Sequence, residues 1–214
     1  DVYKRQLKSN VAGIGSTTLG TIVDIRSNQV TIPSGSSSAV TIVGIATTYR
    51  AAKVLVEIGG TDGSYYEFDE LNILHDGVNA DLVEYGQLTD NNQSSFGIAG
   101  LGTYYAYVDG THFKVDFKPD SAVGVAHTIN TLAISLASAD SGLTGIGTQQ
   151  LNTCIFDSQY ASISASGSPG VTSITSYSGG HSCAYYITCV EDTTNNKYEM
   201  SEVVVVDDGT TASI

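Results

Sequence analysis

Four histidines, three cysteines and a scatter of carboxylates are the side chains in these 214 residues best suited to ligating a metal, attacking a substrate or moving a proton. The carboxylates Asp69, Glu70, Asp76 and Asp81 fall around one turn. Acids gathered there could supply some of the six to eight oxygens that Ca²⁺ takes, and these four are the calcium candidates. No Asp-x-Asp-x-Asp-Gly loop accompanies them, so their spacing reads first as solvated turn chemistry. His75, His112, His127 and His181 form no close pair at metal-ligand spacing and read as turn or strand-end residues. Cys154, Cys183 and Cys189 are too few, and odd in number, for a disulfide framework. Cys183 and Cys189 fall on one predicted strand, pointing the same way but roughly 20 Å apart, too far to bridge. All three read as buried small apolar thiols.

Catalytic constellations are sparse. Gly-x-Ser-x-Gly is absent, and no Ser/His/Asp set follows from spacing. Gly13-Ile14-Gly15 and Gly97-Ile98-Ala99-Gly100 lack the strand, glycine loop and helix context of a phosphate cradle, and read as turn glycines. Glycoside hydrolysis needs two acids flanking a cleft. Here charge density is low and Trp is absent, and the 13 tyrosines read mainly as strand packing. The expectation is a non-enzyme with no catalytic residue and no cofactor.

The totals point the same way. Hydrophobic residues make up 41% of the chain and charged ones only 14%. Ser, Thr, Asn and Gly must therefore carry much of the solubility. A net charge of -13 makes nucleic acid and anionic membrane surfaces poor partners. No apolar run approaches the ~20 residues of a membrane span, and no signal peptide is visible.

An internal repeat organises the chain. Tyr66-Glu67-Phe68-Asp69-Glu70-Leu71 aligns with Tyr198-Glu199-Met200-Ser201-Glu202-Val203 at an offset of 132, continuing to Gly77 and Gly209. The same offset pairs Ala52 with Ala184, Thr61 with Thr193, Ala80 with Ala212, and Gly13-Ile14-Gly15-Ser16 with Gly145-Ile146-Gly147-Thr148. The domain map follows: residues 1–18 hold the tail of a preceding unit, 19–136 a complete module, 137–150 a Gly/Ser/Thr-rich connector, and 151–214 the first half of the next module. A unit this long should have its own core, arranged as a bead on a string.

Within the module, runs rich in Val, Ile, Thr and Tyr separated by Gly, Asn, Asp and Ser predict strands near 20–25, 39–45, 51–58, 65–75, 81–87, 102–108, 112–117 and 122–135. Asp109-Gly110 is a hairpin signal. Tyr105 and Tyr107, with Phe113, Val115 and Phe117, are expected to line one face. No stretch has a capped helical period. The fold expected is all-β, an antiparallel β-sandwich module in tandem repeat with the second copy truncated.

Tyr49-Arg50-Ala51-Ala52-Lys53, Tyr66-Glu67-Phe68-Asp69-Glu70, His75-Asp76-Gly77 and Val83-Glu84-Tyr85-Gly86 resemble a module of marine bacteriophage virion structural proteins, tail-fibre-like proteins of cyanophages among them. Leu101-Gly102-Thr103-Tyr104 and Phe113-Lys114-Val115-Asp116-Phe117-Lys118-Pro119 resemble its later strands. The resemblance spans nearly all of the chain after residue 11, although Gly180-His181-Ser182-Cys183 replaces the Tyr-Arg start in the second copy. It implies a virion component, folded in the host cytoplasm and then carried on the particle. Its partners would be other virion subunits or a host-surface glycan, with homo-oligomerisation open. A bacterial cell-surface adhesin repeat and a phage-tail polysaccharide depolymerase are the competing expectations. Asp1-Val2-Tyr3-Lys4-Arg5-Gln6 resembles a translated sequencing-adapter end, and 212–214 falls inside a predicted strand. Both ends therefore suggest an incomplete reading frame from environmental sequence.

Overall fold

The structure, a computed structural model, describes residues 15–19, 22–63, 65–90, 100–120, 122–137, 148–151, 154–159, 161, 163, 183–207 and 212–213. Among them are strands and no helix, so no helix long and apolar enough to cross a membrane is present there.

Residues 15–137 build two antiparallel sheets. The larger runs β1 (Gly15–Leu19), β2 (Val23–Ile32), β9 (His127–Ala137), β4 (Tyr49–Gly60), β5 (Tyr66–His75) and β6 (Ala80–Asp90), in that order across the sheet. The smaller runs β3 (Val40–Ala46), β8 (His112–Pro119) and β7 (Gly102–Asp109). The apolar alternation of each strand is buried between them. Val54, Val56 and Ile58 of β4 meet Ile42 and Ile45 of β3 and Phe113, Val115 and Phe117 of β8 in one cluster, every one of them fully buried. A side chain of this size removed from water contributes roughly 1.5–3 kcal/mol. The module is therefore a β-sandwich, as its turn spacing and alternation predict.

Three details of the sandwich differ from the sequence reading. β2 continues to Ile32 through the polar run Arg26-Ser27-Asn28-Gln29, beyond the expected end at 25. A bulge between Thr41 and Val43 interrupts β3 opposite β8, and the Ile42 carbonyl accepts hydrogen bonds from Asn28 Nδ2 at 2.9 Å and Thr131 Oγ1 at 3.3 Å. Arg26 Nη1 likewise donates to the Gly44 carbonyl at 3.0 Å. The polar residues of β2 and β9 thus tie the large sheet to the edge of the small one.

The second difference is a correction. Tyr105 and Tyr107 do not share a face with Phe113, Val115 and Phe117. The two-residue turn at Gly110-Thr111 pairs Asp109 with His112, which sets Tyr105 opposite Asp116 and Tyr104 opposite Phe117. The even residues of β7 therefore point inward: Tyr104 is buried, while Tyr105 and Tyr107 are exposed. The close approach of β7 to β8 requires glycine at 102, where a Cβ would lie 2.2 Å from the Lys118 carbonyl oxygen. The third difference is β1. Residues 15–18, expected to belong to a preceding unit, pair with β2 at the edge of this large sheet.

Beyond the sandwich, β10 (Thr148–Leu151) pairs with β11 (Cys154–Asp157), and β12 (Cys183–Asp192), β13 (Lys197–Asp207) and β14 (Ala212–Ser213) form a three-stranded sheet. The register of this later sheet is informative. Ala51↔Leu74 through Gly59↔Tyr66 in β4–β5 recur as Cys183↔Val206 through Glu191↔Tyr198 in β12–β13, each pair displaced by 132 residues. Leu74↔Asp81 and His75↔Ala80 recur in the same way as Val206↔Ser213 and Asp207↔Ala212. Most of the Gly/Ser/Thr-rich connector, and residues 164–182 of the proposed second unit with His181 among them, lie outside the described residues.

Candidate functional site

Each face of β5 carries a polar cluster, because a strand alternates its side chains between two surfaces. Glu67, Asp69, Leu71, Ile73 and His75 point into the sandwich and are buried. Glu70 and Asn72 point to the opposite surface of the large sheet.

On that outer surface the β12–β13 hairpin lies against β4 and β5. Lys53 is at its centre, with a side chain only 9% exposed. Its Nζ donates to Glu70 Oε2 at 2.8 Å, to both carboxylate oxygens of Glu202 at 2.8 Å, and to the Tyr85 hydroxyl at 2.7 Å. Glu202 also accepts from Asn72 Nδ2 at 2.8 Å and from the hydroxyls of Tyr85 and Tyr185. Burial alone would lower the Lys53 pKa, but the bonds to Glu202, Glu70, Tyr85 and Tyr185 win and raise it above the ordinary lysine value. Burial would likewise raise the Glu202 pKa, yet Lys53 and the surrounding donors hold it at about 2. Ammonium and carboxylate are both charged across the physiological range, and a buried cation is tolerable here because each donor has a partner.

A second contact joins the same elements. Arg50 is 4.6 Å from the centroid of the Tyr198 ring and 3.6 Å from Glu191 Oε1, and its Nη1 donates to the His75 carbonyl at 3.2 Å. Tyr85 reaches Lys53 because β6 bulges opposite Asp69. Gly86 takes φ 75°, a left-handed conformation that glycine adopts without penalty.

Inside the sandwich, the Tyr65 hydroxyl and the Leu101 amide (3.0 Å) donate to Glu67 Oε2, and the Tyr104 hydroxyl donates to Asp69 Oδ2. The remaining oxygens, Glu67 Oε1 and Asp69 Oδ1, are buried without a hydrogen-bond partner among the described residues. Burial, reinforced by the Asp69 charge, pushes the Glu67 pKa up to about 7. Burial and Asp69 also raise Glu84. Burial together with the neighbouring carboxylates raises both tyrosines. The cluster holds charge poorly and favours keeping a proton.

The calcium candidates are dispersed by the strand geometry. Asp69 faces the interior and Glu70 the outer surface, bound to Lys53. Asp76 accepts from the amides of Val78 (2.8 Å) and Asn79 (2.7 Å), so its carboxylate caps its own turn. Those bonds lower its pKa. Asp76 and Asp81 both border an open groove of about 530 Å³ between the end of β5 and the β12–β13 turn, together with Asp192 and Glu199. No group of three or more His, Cys, Asp or Glu side chains able to hold a metal ion occurs among the described residues.

His75 is buried against Phe113, ring centroids 4.8 Å apart; its Nδ1 accepts from the Gly77 amide at 3.0 Å, leaving Nε2 to donate to the Tyr49 carbonyl at 2.7 Å. That pattern requires a neutral ring, and burial lowers its pKa. His112 is exposed beside Thr111, and His127 is buried at the start of β9 with Nδ1 2.9 Å from the Val125 carbonyl. Cys183 and Cys189 lie on β12 as free thiols; Cys183 is exposed and Cys189 half-buried, so the expected burial fails at Cys183, where among the described residues no small sheet covers β12.

The Lys53 cluster was not singled out by motif reasoning. Its only sequence signal is a lysine inside the apolar run Ala51-Ala52-Lys53-Val54-Leu55-Val56.

No family model matches the chain, and no curated protein matches it. Part of the chain is similar to a solved tailspike protein of Acinetobacter baumannii bacteriophage Fri1, a capsular polysaccharide depolymerase. The identity is 12% and the TM-score 0.35, over 66% of this chain and 23% of that one.

Proposed function

We propose that this chain is a stretch of tandem β-sandwich modules that serve as non-enzymatic building material of a bacteriophage virion. One observation carries the reading. Two hairpins 132 residues apart pair in the same register, and the later one stacks on the earlier through equivalent sheet faces. Such a contact lets a repeated unit stiffen a chain, because it fixes one copy against the equivalent face of the next.

The resemblance of 49–53, 66–70 and 83–86 to marine phage structural modules supports the virion assignment. The net charge of -13 favours neighbouring subunits or a neutral host-surface glycan over nucleic acid as partner. Repetition would turn weak contacts into avidity.

Mass spectrometry of purified virus particles from a host carrying this gene tests the assignment. Peptides covering 54–114 should be present at structural stoichiometry, and their absence from intact particles would remove the proposal. Incubation with host capsule should release no reducing ends; sustained release would replace building material with a depolymerase.

A further inference from the structure

The contact between the two hairpins has an internal symmetry of position. At the 132-residue offset, Glu202 corresponds to Glu70 and Tyr185 to Lys53. Within each hairpin the relationship is the same: Lys53 pairs with Asn72 and reaches diagonally to Glu70, while Tyr185 pairs with Val204 and reaches diagonally to Glu202. The two diagonals face each other, and Lys53 Nζ lies 2.8 Å from both acids. Both hairpins therefore bring a carboxylate to the contact, and only one brings a cation.

From this we infer a pairing code: the outer face of the large sheet docks the equivalent face of another module only when at least one of the two carries lysine at the position of Lys53. A Tyr/Tyr pair would bury Glu70 against Glu202 with no counter-charge, a like-charge contact in a poorly hydrated interface. A Lys/Tyr pair satisfies both acids, and the tyrosine hydroxyl supplies a further donor to Glu202. The occupant of the Lys53 face is thus a tyrosine-bearing module of the same kind, here residues 183–207 of the same chain. Two tyrosine-bearing modules do not dock on each other, which sets which modules can pair. The inference rests on reading 183–207 as a second copy of 51–75. It goes further by making position 53 the determinant of which copies meet.

Since the contact joins equivalent faces, the lysine should work from either side. The test uses the full 214-residue chain and hydrogen exchange read by mass spectrometry. Lys53→Tyr should accelerate exchange of the amides in Cys183–Asp192 and Lys197–Asp207 at least tenfold. The double variant Lys53→Tyr/Tyr185→Lys, which moves the cation to the other hairpin, should restore protection to within about threefold of the parent. Amides of Val40–Ala46 and His112–Pro119 report whether the sandwich itself is intact. Unchanged hairpin exchange in Lys53→Tyr, or no recovery in the double variant while the sandwich stays protected, overturns the code. If Lys53→Tyr also opens the sandwich, Glu202→Gln decides from the hairpin side: faster hairpin exchange supports the code and unchanged exchange overturns it. Failure here leaves the virion assignment standing, since that depends on particle composition.

Discussion

The β4–β5 and β12–β13 hairpins share a register and differ in what covers them. Val54, Val56 and Ile58 of β4 are fully buried beneath β3 and β8, whereas Val190, the counterpart of Ile58, is 46% exposed. Their turns differ as well: the first loop carries Gly63 at φ 74°, and the second solves the same bend with Asn196 at φ 54°. Register is therefore a local property, set by alternation and by residues that tolerate left-handed turn dihedrals. Burial is a tertiary property supplied by strands distant in sequence, and among the described residues no small sheet covers β12–β13 as β3-β8-β7 covers β4–β5.

The largest expected effect separates the two hairpins at equivalent positions. Ile58→Ala leaves a cavity in the closed core and should cost about 2–5 kcal/mol. Val190→Ala removes a side chain already half in water and should cost less than about 1 kcal/mol. Urea unfolding of the two variants checks this. Equal losses would mean that β12–β13 has a core of its own in solution.

The next effect concerns the same pair of strands at an acidic position. Where β5 carries Glu67 and Asp69, β13 carries Glu199 and Ser201, and the Ser201 hydroxyl donates to Glu199 Oε1 at 2.9 Å. One hairpin confines two carboxylates; the other has an acid and a donor. The folded pKa of Glu67, about 7, lies above its ordinary value of 4.5. The stability linked to its proton is therefore complete below pH 4.5 and is lost as pH rises through about 7. Glu67→Gln should stabilise the sandwich at pH 8, by on the order of 2 kcal/mol, and change it little at pH 4. Glu199→Gln should show no such pH-dependent gain. Denaturant midpoints at the two pH values decide it; a Glu67→Gln effect independent of pH would mean that burial does not raise the Glu67 pKa.

The strands were largely legible in the sequence, because Asp109-Gly110, Gly63 and the apolar alternation act locally. Polar β2 is not legible past residue 25, since Arg26 and Asn28 look like loop residues until Gly44 and Ile42 offer them carbonyls from another sheet. The faces of Tyr105 and Tyr107 do not follow from alternation within each strand, because the pairing parity across a two-residue turn decides which residues share a surface. The role of Lys53 is hidden for a different reason: its partner Glu202 is 149 residues away, and no local pattern announces such a contact.

A smaller effect opposes that of Glu67. His75 is held neutral, and its folded pKa lies below the ordinary 6.5. The unfolded chain then binds the extra proton first, so the His75 contribution is present in full above about pH 6.5 and shrinks as pH falls below it. The ring signals of His75 should titrate below 6.5 in an NMR series. β13 carries Asp207 at the corresponding position, so it has no such acid-sensitive ring. A His75 titration at or above 6.5 would contradict the neutral, doubly bonded ring.

The smallest expected effect tests whether a turn that hands one strand to the next depends on a single carboxylate. Asp76 collects the Val78 and Asn79 amides between β5 and β6, both bonds short and one-sided, and the side chain is otherwise in water. Asp76→Ala should cost about 0.5–1.5 kcal/mol, since the freed amides can be partly satisfied by solvent. Asp76→Asn should recover part of that, as its amide oxygen still accepts while its charge is gone. Asp192 performs a similar task in the β12–β13 turn, taking the Asn195 amide at 3.1 Å and its side-chain nitrogen at 2.7 Å. Its replacement should shift the unfolding of the sandwich by no measurable amount, because that turn lies outside the two packed sheets. A loss from Asp192→Ala as large as that from Asp76→Ala would show that docking of the later hairpin is coupled to the stability of the whole sandwich, and would raise the Lys53 contact from a joint between two hairpins to part of one cooperative unit.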